Sequence, residues 1–174
     1  MNSEISSPDE ITAYVPVVTG SEAAEKLSNT DDEIHRSTFV ETVYYPYQIV
    51  TIDVELDGFL SQHKEVMEVG IDLINGREIL IDDAPEIQNI QPEQTQVLQS
   101  DDEAVESVSK AKEYIVQIIQ QHHRILELPD LDVKDIERLY RPFHLVRAYV
   151  EDGSLMYTVD SISGNLHRVY PHDK

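Results

Sequence analysis

Seven histidines and 34 acidic residues are the groups of this 174-residue chain best equipped to act on a substrate. His122 and His123 adjoin on a helical stretch, so their side chains point about 100° apart and cannot share one site. His122 falls on the apolar stripe of that helix, where a buried or helix-end role outranks metal ligation. His144, His167 and His172 lie near the last strands, but their spacing does not make them meet, and no HExxH or comparable metal motif occurs. The acid pairs Asp31-Asp32, Asp82-Asp83 and Asp101-Asp102 read first as solvated faces in a chain this acidic. Asp101 and Asp102 also sit where a helix N-terminus favours negative charge by about 0.3–1 kcal/mol. Asp72 to Gly76 lacks the lysine and following helix of a phosphate loop, and no serine stands in a nucleophile elbow. The expectation is a protein that is not an enzyme, with no catalytic, cofactor-binding or metal-binding residues and no cofactor.

Two aromatic segments are the candidates for binding. Tyr44-Tyr45-Pro46-Tyr47 and Tyr140-Arg141-Pro142-Phe143-His144 each set a proline among rings. One reading is structural: proline fixes the entry to a strand and the rings cover the end of the core. The other makes Tyr45, Tyr47, Arg141, Phe143 and His144 the contact residues of a protein partner, since Tyr and Arg are enriched in binding hot spots.

These segments belong to an internal repeat. Thr19 to Leu27 returns as Ser100 to Val108, Val43 to Val50 as Leu139 to Val146, and Ile71 to Gly76 as Val159 to Gly164. Three matched blocks in one order predict a duplicated unit. Thr19 and Glu22 have capping-box spacing, repeated by Ser100 and Glu103. Val50, Ile52 and Val54 alternate with polar neighbours, and Met67, Val69, Ile71 and Leu73 return on the same pattern. Val146, Ala148 and Val150, then Leu155, Tyr157 and Val159, repeat that hairpin. Asn75-Gly76 predicts a type I′ turn. Asp72 and Asp160 are expected to accept backbone N–H groups in the turns that reach Gly76 and Gly164. In the second copy, Val108, Ala111, Ile115, Ile118, Ile119, His122 and Ile125 extend an amphipathic helix.

The predicted fold is therefore α+β: two tandem repeats of one helix plus a three-stranded antiparallel meander, helices packed on the sheet, related by a pseudo-twofold. The boundaries are a flexible acidic arm at 1–10, a first αβββ repeat at 11–83, a linker at 84–99 and a second repeat with the longer helix at 100–174. The two repeats are expected to share one core.

The formal charge is −21, from 34 acidic against 13 basic residues. With no basic stripe to displace phosphate counterions, nucleic acid is excluded as a partner, and so is an anionic membrane surface. No apolar run reaches the ~18 residues of a membrane span, and no leader is evident, so a cytoplasmic protein without membrane insertion is expected. Cysteine is absent, which removes disulfide and thiol chemistry. The acids are spread along the whole chain, as in proteins kept soluble near molar salt, where screening shortens to about 3 Å.

The paired alanines of Ser21 to Leu27, the strand Ile49 to Leu56, and Val69-Gly70-Ile71-Asp72 through Gly76-Arg77-Glu78-Ile79 resemble one PepSY module. Glu103 to Val108, Leu145 to Val150, and Tyr157-Thr158-Val159-Asp160 through Gly164-Asn165-Leu166 resemble a second. The resemblance implies small tandem α/β modules that regulate peptidases, with no catalytic residue to carry over. The composition is similar to that of halophile proteins. The function expected is a non-enzymatic binding or regulatory module that engages a protein partner in a high-salt cytoplasm, with a homodimer also open. The alternative is a small-molecule or ion carrier with a pocket between the repeats.

Overall fold

The computed structural model describes residues 9–58, 61–100, 104–122 and 127–170. Along them run β1 (Ile11–Tyr14), α1 (Gly20–Ser28), β2 (Arg36–Asp57), β3 (Gln62–Asp72), β4 (Glu78–Leu80), β5 (Ile87–Ile90), a 3₁₀ turn (Gln94–Gln96), α2 (Ala104–His122), β6 (Asp130–Val150), β7 (Gly153–Asp160) and β8 (Leu166–Val169). Most of the arm at 1–10, with Asp101, Asp102, Glu103, His123 and His172, lies outside the described residues.

The expected α+β pair of tandem helix-plus-three-strand repeats is overturned. The eight strands form one mixed sheet in the hydrogen-bonded order β4-β3-β2-β6-β1-β5, with β7 on β6 and β8 on β7. β1 joins β6 in parallel at Ala13 and Tyr140, whereas the β1–β5, β2–β3, β3–β4, β6–β7 and β7–β8 ladders are antiparallel. The physical reason is length. β2 runs 22 residues and β6 runs 21, far beyond the apolar alternation that marks their second halves. The first half of β6 is largely exposed and charged, and that of β2 mixes apolar and polar residues at partial burial, so periodicity alone assigns neither. The stretch read as linker also holds β5, paired to β1 from Ile11–Ile90 to Tyr14–Ile87.

The buried side chains form two clusters, one in each compact unit. The described parts of Met1–Tyr45, Pro85–Leu98 and Tyr140–Lys174 make unit 1, and those of Pro46–Ala84 and Gln99–Leu139 make unit 2. Each unit draws on both repeats. In unit 1, Ala23, Ala24 and Leu27 of α1 pack with Val146, Ala148 and Val159, which belong to the second repeat. In unit 2, Ala111, Ile115 and Ile119 of α2 pack with Val50, Ile52, Val54, Val69 and Ile71 of the first. Every helix thus covers the hairpin of the other copy. The partition falls inside β2 and β6, at Tyr45/Pro46 and Leu139/Tyr140.

Local chemistry follows the sequence more closely. Thr19 caps α1: its hydroxyl accepts from Glu22 N at 3.2 Å, and Thr19 N donates to Glu22 Oε2 at 2.7 Å. Those bonds hold the Glu22 carboxyl below its usual range. The β2–β3 ladder sets Val50 opposite Val69 and Ile52 opposite Met67. The repeat holds down to single bonds in the two turns. Asp72 Oδ1 accepts from Ile74 N at 2.8 Å and Asn75 N at 3.1 Å; Asp160 Oδ1 accepts from Ile162 N at 2.9 Å and Ser163 N at 3.4 Å. Gly76 N and Gly164 N each donate to the aspartate carbonyl at 2.7 Å. The glycines have φ of 70° and 74°, the left-handed conformation that L side chains resist. No described residue other than glycine has positive φ, so Asn75-Gly76 is not the expected type I′ turn.

Candidate functional site

The Tyr-x-Pro segments stand at the points where β2 and β6 pass from one unit to the other. Proline is tolerated in these strands because of what its neighbours bond. The β2–β3 ladder begins at Tyr47–Asp72, one residue after Pro46, so no Pro46 N–H is needed on that side. The Pro46 carbonyl accepts from Leu73 N at 3.0 Å, and the Pro142 carbonyl accepts from Ser161 N at 3.2 Å and Ser161 Oγ at 2.6 Å. Pro46 and Pro142 are fully buried.

The five residues singled out for partner binding are placed as follows. Tyr47 is buried, at 6% exposure, in unit 2. The other four lie in unit 1. The half-buried Tyr45 and Phe143 rings meet with centroids 4.6 Å apart. His144 is 3% exposed: Nε2 donates to the Val18 carbonyl at 2.7 Å, Nδ1 meets the Thr42 hydroxyl at 2.9 Å, and the ring stands edge-on to Phe39. Arg141 grips Asp160, with Nε–Oδ2 at 3.1 Å and Nη2–Oδ2 at 2.9 Å, both side chains 12% exposed. Burial pushes the Asp160 carboxyl up, but the Arg141 guanidinium and the turn N–H groups outweigh it, and its pKa lies below the ordinary 3.8. These groups serve each other inside the molecule. Burial and mutual bonding favour the structural reading of the aromatic segments over the contact-surface reading.

The acids and histidines are dispersed. Asp31, Asp32, Asp82, Asp83 and His167 are exposed, while Asp72 and Asp160 are committed to their turns. His122 is exposed at the end of α2 rather than buried on its stripe. Among the described residues no three His, Cys, Asp or Glu side chains are grouped as metal ligands would be. None of the described helices is long and apolar enough to cross a membrane.

Unit 2 also contains a groove. It has a volume of about 640 Å³ and lies between the last turns of α2 and the far end of the β2–β3 hairpin. Leu56, Met67, Leu80, Ile118 and Ile119 form its apolar walls, and Asp57, Ser61, His63, Glu65 and His122 are its polar lining residues. The alternation of β3 explains this gradient. Val69, Met67, Glu65 and His63 share one face, so the surface turns from apolar to polar toward the hairpin end.

The groove arises where two differences between the repeats come together. The first repeat has the longer hairpin, paired from Tyr47–Asp72 to Asp57–Gln62, against Phe143–Asp160 to Val150–Gly153 in the second. The second repeat has the longer helix, 19 residues against nine. Because each helix covers the other copy's hairpin, both extensions fall in unit 2. Their lengths are legible in the sequence, and their meeting is not. Comparison with protein-family models, curated proteins and solved structures finds no match, so the PepSY-like resemblance rests on the quoted residues alone.

Proposed function

We propose that the protein is a non-enzymatic binding module whose unit 2 groove takes a small apolar molecule with a cationic or neutral head. The observation that carries this reading is the groove itself, apolar in its walls and bordered by Asp57 and Glu65. Its volume lies within the roughly 300–1,000 Å³ typical of ligand sites. Six methylenes buried there would contribute about 5 kcal/mol, at ~0.8 kcal/mol each, before association costs. The carboxylates, in a chain of net charge −21, oppose an anionic head group and favour a cationic one. The commitment of Asp72, Asp160 and His144 to internal hydrogen bonds supports binding over catalysis.

Titration calorimetry with n-octylammonium and with octanoate, in potassium chloride, tests the proposal. The expected result is a dissociation constant below about 1 mM for octylammonium, with octanoate at least about tenfold weaker, as 1.4 kcal/mol of head-group discrimination would give. Ile118→Glu should abolish binding with little change in melting temperature, because Ile118 is only half-buried. Failure of both ligands to bind, equal binding of the two, or unchanged binding by Ile118→Glu would each overturn it.

A further inference from the structure

The eight residues before Tyr44 and the eight before Tyr140 are equivalent in the repeat, and each run forms a strand with a single strand neighbour. In unit 1, Arg36–Val43 precede the β2–β3 ladder, which starts only at Tyr47, so β6 is their one strand neighbour among the described residues. In unit 2, Asp132–Leu139 likewise precede the pairing of β6 with β1 and β7, and β2 is their one strand neighbour. Each run therefore has one edge with no strand partner among the described residues.

The two edges are defended differently. Asp132, Lys134, Asp135, Glu137 and Arg138 charge the unit 2 run. Lys134 is anchored there to Asp132 at 2.7 Å and to Asp53 of the adjoining strand at 3.4 Å. Charge along an edge is the usual protection against unwanted strand addition. In unit 1 the run reads Arg-Ser-Thr-Phe-Val-Glu-Thr-Val, with two charges, and Phe39 stands where the other copy has Asp135. Phe39 and Val40 are 43% and 44% exposed. Against five charges in the other run this one carries two, and Thr38, Val40, Thr42 and Val43 make half of it β-branched.

We infer that Arg36–Val43 is a docking edge, where an extended segment of a partner protein with basic flanks adds to the sheet as a further strand. Main-chain hydrogen bonds supply the affinity in this mode, and the alternate side chains give selectivity. The net charge of −21 selects a basic segment and opposes a second copy of the chain. The site is separate from the groove, so neither proposal depends on the other.

The test uses the full chain and a synthetic peptide alternating valine and threonine with two lysines at each end, beside the same peptide ending in glutamates. Amide chemical shifts read the site directly. The lysine peptide should perturb the amides of 36–43 and bind at least fivefold more tightly than the glutamate peptide. Thr38→Lys with Phe39→Asp, which copies Lys134 and Asp135 of the defended run, should reduce binding at least tenfold. Phe39 touches Gly20 and His144, so Thr38→Lys alone serves if the double variant fails to fold. Perturbation elsewhere or nowhere, or equal binding of both peptides, overturns the proposal. So does a dimer joined through 36–43 without any peptide.

Discussion

Asp160 in unit 1 and Asp72 in unit 2 hold the same turn by different means. Both accept two backbone N–H groups, and both turns close on a left-handed glycine. Around Asp160 the second oxygen meets the Arg141 guanidinium, in a bidentate and nearly buried pair. Around Asp72 the second oxygen accepts from Asn75 Nδ2 at 2.9 Å. Tyr45 stands at the position of Arg141, and Ser163 at that of Asn75. The two turns thus share their backbone bonding and differ in the side chain that supports the aspartate.

The largest test of that contrast is Arg141→Ala. Removing one member of a buried ion pair costs about 3–5 kcal/mol, because the other charge is left uncompensated. Asn75→Ala in the other turn should cost about 1 kcal/mol, the scale of one neutral hydrogen bond. Denaturant unfolding of the two variants measures both, and equal losses would show that charge adds nothing to the first turn. The pair also fixes a pH dependence. The folded-state pKa of Asp160 lies below 3.8, so its contribution is complete above that value and is lost as pH falls through the folded value. Arg141→Ala should therefore flatten the acid limb of the stability profile, whereas Asn75→Ala should leave it unchanged.

Next in size are Leu27→Ala and Ile115→Ala, each about 2–5 kcal/mol for a buried aliphatic side chain. Leu27 is 1% exposed and Ile115 is fully buried. Their value lies in where the loss appears. Hydrogen exchange should quicken in β7 and β8 for Leu27→Ala, and in β3 and β4 for Ile115→Ala. The reverse assignment would mean that each helix guards the hairpin nearest to it in sequence.

The smallest effects come from Gly76→Ala and Gly164→Ala. Each should lose about 1–2 kcal/mol for an L residue in the left-handed region, and the two losses should agree closely. Lys26 Nζ, which donates to the Gly164 carbonyl, lies 2.9 Å from the added methyl but ends a flexible side chain. A loss at one glycine alone would break the equivalence of the turns.

Much of this was readable because it is local. The Thr19–Glu22 cap, the Asp72 and Asp160 turns and the faces of β2 and β3 each depend on residues within a few positions or on strict alternation. The first half of β6 is not legible because Asp130, Asp132, Asp135, Glu137 and Arg138 hide a period of two behind charge. The cross-covering of helices and hairpins has no local signal at all: Leu27 fits an apolar hairpin face of either copy. The lining of the groove escaped for the same reason, since Leu56 and Met67 lie far along the chain from Ile118 and Ile119. Arg141 was singled out, but for an outside partner, when its counter-charge was Asp160 in the neighbouring strand.

The interleaving of the repeats also governs how the chain can mature on the ribosome. Helix α1 is synthesised well before Val146, Ala148 and Val159 of β6 and β7, against which it rests. The β2–β3 hairpin likewise waits uncovered until α2 has been made. A nascent chain halted after its first repeat would present bare apolar surface on both elements, an opening for chaperones that a side-by-side duplication would not create.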